Sequence, residues 1–409
     1  MNVRVTALRS ATSFRHGISL PPDAVGVTAA DPRGVFGAAI PVGRPDGWKS
    51  ASGGAGRTAD AAAQAAIGEA LERYAAFATR IPERPLRRIG GDHVLHLAEF
   101  GLHSPEQRHD PAFPFAAAYG SDARYVPVFS ATDNRPAWVP AGLVRLERDA
   151  TGISTSTGLA AAPSARTALV RAIQELVERD ALAVTWLHGV PARRVPLPGA
   201  DARAVAQLGG DAFAVDATPA FSPHRVAFVA GWLPLRGRRR FGFGAACRAS
   251  WAEAVEKAFL EWCQAVSYAG YHCAYSARDS SPSPLRTFDD HAAHYTLHPD
   301  QWDRLPLLRG DEVDAPVDEQ DATPADELHD LVASLTRNGV RLFYRELTTP
   351  DVRDAGVRVV RALSPDLALL NCDDEWPFLG DAVRDVGRRY PWVDRGTLRF
   401  PNPFPHPLG

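Results

Sequence analysis

Apolar and polar positions along this chain change their period several times, and the changes mark out its elements. Alternating runs at residues 3–8 and 34–42 predict strands joined by a connection that contains proline and glycine. Residues 59–77 carry helical periodicity. A second helix is expected after Ser164, a natural N-cap, ending near Trp186. A third starts from a capping box of Ser250 and Glu253 and is expected to stop before Gly270. Residues 124–130 and 138–146 read as a strand pair across the turn at Thr132–Pro136, and 226–235 with 241–247 as a hairpin. After Cys273 the texture changes. A Ser/Pro stretch at 280–284 and an acidic stretch at 311–327 read as surface insertions. A helix at 326–338 with a Gly339 stop follows, then strands at 340–347 and 357–363. The last nine residues alternate proline with other residues, which excludes a helix and favours a stiff, extended segment. The class is α+β.

Three of these helices carry nearly the same acids: Glu69, Glu72 and Arg73; Glu175, Glu178 and Arg179; Glu261 and Gln264. Carboxylates three residues apart share one helical face and repel, so their repetition in apolar surroundings implies something positive between them. A divalent cation carrying phosphate fits, because Mg²⁺ is usually held by one or two carboxylates together with phosphate oxygens. The lead-ins repeat too. Small-residue stretches at Ser50–Gly56, Ser154–Gly158 and Gly242–Ala246 read as loops able to bring backbone N–H groups to an anion. From the last glycine of each to the first acid is 13, 17 and 17 residues.

Composition mostly excludes. The chain has 409 residues and a net charge of −3, against a basic nucleic-acid surface. Lys49 and Lys257 are its only lysines, and no GxxxxGK[ST] phosphate loop is present. Cys247, Cys263, Cys273 and Cys372 lack metal-finger spacing and suggest free thiols in a reducing compartment. With no signal-peptide run at Met1 and no membrane-spanning apolar stretch, a soluble cytoplasmic protein is expected.

The two ExxER helices, the ExxQ helix and the PxPxP tail, in this order, resemble the YcaO superfamily, and within it the azoline-forming cyclodehydratases of ribosomally made peptides. Residues 138–144 and 346–351 read like further landmarks of that family. The resemblance implies a fold of internally repeated loop–helix units on mainly antiparallel sheets around a central nucleotide site. It divides the chain into N-terminal strands at 1–50, a catalytic region at 51–400 and a tail at 401–409 that enters the active site. It implies ATP and Mg²⁺, with Glu69, Glu72, Glu175 and Glu178 as metal ligands. Arg73 and Arg179 would meet phosphate or brace the acids, Glu261 and Gln264 would complete the nucleotide pocket, and Ser156 would join it from the second loop. The tail residues Pro405, Pro407 and Gly409 would serve the catalytic step, with a terminal carboxylate as proton acceptor. A precursor peptide is the implied substrate and a separate leader-binding, adenylating-enzyme-like protein the implied partner, because the family-like region fills the chain. Neither nucleic acid nor a membrane is implied, and a homodimer is left open. The same nucleotide site would serve thioamide or amidine formation, or a non-catalytic nucleotide-binding subunit. Ala55, Ala66 and Pro163 depart from the Lys, Ser and Gly that many relatives carry there.

Other residues invite simpler readings. His291, His294 and His298 read as polar positions on a partly exposed helix, Arg236–Arg240 as a solvated hairpin tip, and Cys263 as small core packing.

Overall fold

β1 (Asp23–Ala24) and β2 (Val35–Ala39) pair antiparallel with β3 (Ser52–Gly56) in a three-stranded sheet. The computed structural model describes residues 10–13, 15–24, 35–39, 52–90, 93–146, 153–235, 237–275, 280–318 and 327–409. The strand expected at 3–8 lies outside them. β3 corrects the sequence reading of its stretch as a loop. Its glycines serve close packing: a Cβ on Gly54 would stand 2.3 Å from the Ala66 nitrogen of α1 (Ala59–Ala78) and 2.5 Å from the Ala62 oxygen. Ala62 and Ala66, both fully buried, form the helix side of this contact. Small residues face small residues, and the two backbones nearly touch.

A six-stranded sheet has the order β4 (Arg84–Pro85), β5 (Arg124–Ser130), β12 (Phe343–Glu346), β13 (Arg358–Leu363), β7 (Leu159–Ala162), with β6 (Pro136–Pro140) also on β5. β6 starts two residues earlier than the pattern suggests and ends at Pro140, where Ala141–Leu143 closes a 3-10 turn. Asn134 in the left-handed region (φ 59°) makes the bend before it. β7, all four residues of it buried, is a short apolar run the periodicity did not reveal. Against it packs α2 (Ala165–His188), capped by Ser164 at one end and by Gly189 at φ 61° at the other. α2 is buried on most of its circumference and forms the centre of the larger core.

The third sheet orders β11 (Arg238–Arg248), β10 (Arg225–Leu235), β9 (Asp211–Asp216) and β8 (Arg194–Val195), all antiparallel. The stretch 242–246 is thus strand as well. A Cβ on Gly244 would stand 2.0 Å from the Ala258 oxygen of α3 (Trp251–Tyr275). Ser250 accepts from the Glu253 N–H at 3.3 Å, and Asp318 accepts from the Trp251 N–H. α3 continues past Gly270, where the sequence suggested a stop: a Cβ there would stand 2.8 Å from Arg240 Nη1, so this glycine makes room for a buried arginine. The described part of the acidic stretch, 311–318, is not merely solvated, and residues 319–326 lie outside the described ones. Val313 donates to the Arg194 carbonyl, Arg194 to that of Asp311, and Asp318 caps α3. α4 (Phe288–Leu297) and α5 (Glu327–Arg337) complete the elements used below.

Two further readings need correction. Arg239 is tied to Asp303 by hydrogen bonds of 2.9 and 2.7 Å and lies over Trp232 and Phe241, while Arg240 is buried. His291 and His294 on α4 are buried: carbonyls of Cys372 and His406, far along the chain, close over the His291 ring nitrogens, and the nearby Ser281 and Gln301 side chains over those of His294. Cys263, by contrast, is core packing as read.

Candidate active site

The three acid-bearing helices follow one plan. Thr58, Ser164 and Ser250 each cap a helix through the N–H three residues on, and each stands eleven residues before the first acid. Gly53 N–H donates to Glu69 at 2.7 Å and Ala245 N–H to Glu261 at 3.4 Å, both across 16 residues. Ser52 rather than Gly56 therefore corresponds to Gly244, which removes the mismatch of 13 against 17. The glycine spacing misled because the first unit carries its glycines further along the strand.

The second acid of each pair reaches the next unit. Glu72 accepts from the Ala161 N–H of β7 at 2.7 Å, and Glu178 from the Cys247 N–H of β11 at 3.1 Å. Gln264, in the matching place on α3, returns to the first unit: a Cβ on Gly53 of β3 would stand 2.1 Å from its amide nitrogen. Helix motif and neighbouring strand thus close a ring of three units.

Charge accumulates inside this ring. Burial, then the charge of Glu175, pushes the Glu72 carboxyl up to about 8, against the opposing Ala161 hydrogen bond. Burial pushes Glu178 up to about 8 as well, with Glu261 and Glu175 adding to the effect and Arg179 opposing it. Glu175 is also raised by burial, with Arg179 and Arg361 in opposition. Burial works against Glu261 too, but Lys257 Nζ at 3.0 Å and Arg179 hold its carboxyl below the ordinary value. Arg73 donates to Glu69; Arg179 donates to Glu178 at 2.8 Å and stands 3.8 Å from Glu175. The acids of α1, α2 and α3 feel one another, so the structure brings together Glu69, Glu72, Glu175, Glu178 and Glu261 with Arg73 and Arg179.

Arg361 was missed in the sequence. It is fully buried on β13 and donates to the carbonyls of Val144, Thr155 and Thr157, which ties the loop before β7 in place. Burial lowers it to about 10, against the attraction of Glu175 and Glu72. Its signal was a charge on the apolar face of an alternating run, in step with Val357, Val359 and Leu363. Ser156 sits in the loop that Arg361 holds, its carbonyl accepting from the Leu159 N–H.

The tail is packed. Trp186 Nε1 donates to the Phe404 carbonyl at 2.7 Å, Tyr295 to that of Pro405, and His291 Nδ1 faces that of His406 at 2.7 Å. Pro407 lines a small cavity with Phe241 and Gly242 of β11. His406 is within electrostatic reach of Arg179, while Gly409 packs on Ala292 of α4.

The residues fit a cation with phosphate. Ser52 Oγ and Arg73 Nε are buried without a hydrogen-bond partner among the described residues, and both belong to the first unit of the ring. No three His, Cys, Asp or Glu side chains among the described residues could cage a cation by themselves. One or two carboxylates plus phosphate oxygens is the arrangement Mg²⁺ prefers.

Residues 53–368 match the family model described as YcaO cyclodehydratase, ATP- and Mg²⁺-binding. The chain belongs to the YcaO family. YcaO proteins bind ATP and Mg²⁺, and the acid ring described above lies within the matched span. Solved structures share the fold. A heterocyclase in complex with substrate and cofactor superposes with TM-score 0.73 at 17% identity, covering 98% of this chain; the chain spans 57% of that heterocyclase. YcaO from Methanopyrus kandleri, bound with AMPPCP and Mg²⁺, gives TM-score 0.66 at 19% identity over 89% of this chain and 90% of its own. The E. coli microcin synthetase McbBCD complex with pro-MccB17 bound gives 0.59 at 17% identity, over 84% and 87%. No curated protein matches. No described helix is long and apolar enough to cross a membrane.

Proposed function

We propose that this YcaO protein is an ATP- and Mg²⁺-dependent cyclodehydratase that forms thiazoline or oxazoline rings in a ribosomally made precursor peptide. The observation that carries the reading is the acid ring, where carboxylates from three helices are gathered with little solvent contact and two are pushed far above their ordinary range. A site that disfavours its own charge in this way gains when a cation arrives.

In this reading Glu69, Glu72, Glu175 and Glu178 hold Mg²⁺, which when bound would neutralise charge on the transferring phosphoryl group. Arg73 and Arg179, each held by an acid of its own motif, present guanidinium groups to phosphate. Glu261 and Gln264 border the nucleotide, and Ser156 approaches it from the loop clamped by Arg361. The Cys, Ser or Thr side chain of the peptide adds to the preceding carbonyl carbon and gives up its proton. The former carbonyl oxygen takes the γ-phosphoryl group, and its departure as phosphate, with loss of the amide proton, leaves the C=N of the ring. Pro405, Pro407 and Gly409 belong to the segment that orders the peptide at this step. A separate leader-binding partner is part of the proposal, supported by the assembly and bound pro-MccB17 of the E. coli relative. Cys247, Cys263 and Cys372 form no disulfide, which suits a cytoplasmic setting.

The test is ATP turnover coupled to loss of water from a Cys-, Ser- and Thr-containing peptide. Mass loss of one water per ring with matching phosphate release is expected. Nucleotide binding without turnover, with peptide and partner supplied, would favour a scaffold subunit. Incorporation of sulfur or an amine without ring closure would point to thioamide or amidine chemistry.

A further inference from the structure

A proline lacks an N–H, so Pro405 and Pro407 leave the tail rich in acceptors and poor in donors. The fold answers with donors on rings. Three consecutive carbonyls, of Phe404, Pro405 and His406, meet Trp186 Nε1 of α2, Tyr295 Oη of α4 and His291 Nδ1 of α4. His291 is the most enclosed of the three, with no exposed surface. Its second nitrogen faces the Cys372 carbonyl at 3.1 Å, with Asp374 Oδ1 at 3.6 Å. Its ring stacks on that of His406 at 3.9 Å and 11°, and His406 Nε2 in turn meets the Asn371 carbonyl at 2.9 Å. One imidazole therefore joins α4, the 371–374 segment and the tail. His291 and Pro407 also share a small cavity with Gly242, on the strand β11 that supplies N–H groups to Glu178 and Glu261.

We propose that His291 is a positioning residue: it anchors the Pro405–Pro407 segment against β11, beside the acid ring, and acts on the reaction only through that segment. The use made of the segment rests on the cyclodehydratase reading; the anchoring does not. Neighbouring His294 faces Ser281 and Gln301 instead, so of these two histidines it is His291 that bonds the tail, beside Trp186 and Tyr295.

The experiment compares H291Q, which keeps an N–H donor, with H291M, similar in size but without one. Hydrogen exchange in the full-length chain is read at the His406, Leu408 and Gly409 amides. Loss of one hydrogen bond should speed exchange there roughly tenfold in H291M and less in H291Q. With Mg·ATP and a Cys-containing test peptide, kcat should fall more in H291M than in H291Q, while the ATP KM stays within about twofold. Deleting residues 405–409 should erase the difference between the two variants, the non-additivity expected of groups that act as one. Equal tail exchange in H291M and the unaltered chain would overturn the proposal. So would a full H291M defect persisting in the truncated chain. Should H291M show the exchange difference while the unaltered chain, supplied with peptide and partner, turns over no ATP, the anchor stands and the cyclodehydratase reading falls.

Discussion

Replacing Glu72 with Gln should make the ligand-free protein more stable while crippling its nucleotide site. The carboxyl is pushed up to about 8 by burial and by Glu175, so near neutral pH the folded chain must hold a proton that the unfolded chain has released. The sign follows from linkage. Stability from this group is complete below the ordinary carboxylate range and is lost as pH rises through about 8. Carrying the proton at pH 7 costs at most about 3.5 kcal/mol, from the ordinary value of 4.5 and about 1.4 kcal/mol per pKa unit. Glu72 keeps some solvent contact, which reduces this to about 2 kcal/mol. Glutamine avoids the cost, and its amide oxygen can still accept from the Ala161 N–H. For a chain of this length the gain is about 2 °C in Tm. Melting curves from pH 3.5 to 9, without metal or nucleotide, should show E72Q level with the unaltered protein at the acid end and increasingly ahead of it above about pH 5. Calorimetry with Mg²⁺ and a non-hydrolysable ATP analogue should show affinity reduced at least tenfold. A variant that melts lower at every pH and binds Mg·nucleotide normally would refute both the electrostatics and the site.

Other perturbations separate architecture from chemistry. Asp180 and Arg389 form a fully buried pair with bonds of 2.6 and 2.8 Å, so D180A should cost about 3–5 kcal/mol in denaturant unfolding, with nucleotide affinity little changed in the folded fraction. G244A places a methyl 2.0 Å from the Ala258 carbonyl and should cost about 3 kcal/mol by the same measurement; a neutral result would show that strand and helix can separate freely. R361M removes the donors held by Val144, Thr155 and Thr157, and hydrogen exchange at residues 153–158 should accelerate markedly before the rest of the fold responds.

The helices were legible because their signals are local. Ser164 and Ser250 announce starts, and apolar periodicity carries each helix to within a few residues of its observed end, except where Gly270 sits inside α3. β3 was not legible, because glycines mark turns in most sequences, whereas here they let a strand lie against Ala62 and Ala66. The acids could be found by their repetition. Their partners could not: Ala161 and Cys247 contribute only backbone N–H groups, which leave no trace in residue identity. His291 looked polar and exposed because its acceptors come from residues 372 and 406, far along the chain. Arg361 was readable in principle, as a charge on the apolar face of a strand, and went unread because its neighbours looked like ordinary core.

The ring closed by Glu72 on β7, Glu178 on β11 and Gln264 against β3 has a consequence for how the molecule fails. It works like a three-stone arch, in which no stone holds a complete seat for the load. If any one helix detaches, a wall is missing for the ligand, so partial opening anywhere in the ring should empty it entirely. Conversely, a nucleotide resting across all three stones locks each joint at once, and its binding free energy resists the separation of segments more than a hundred residues apart.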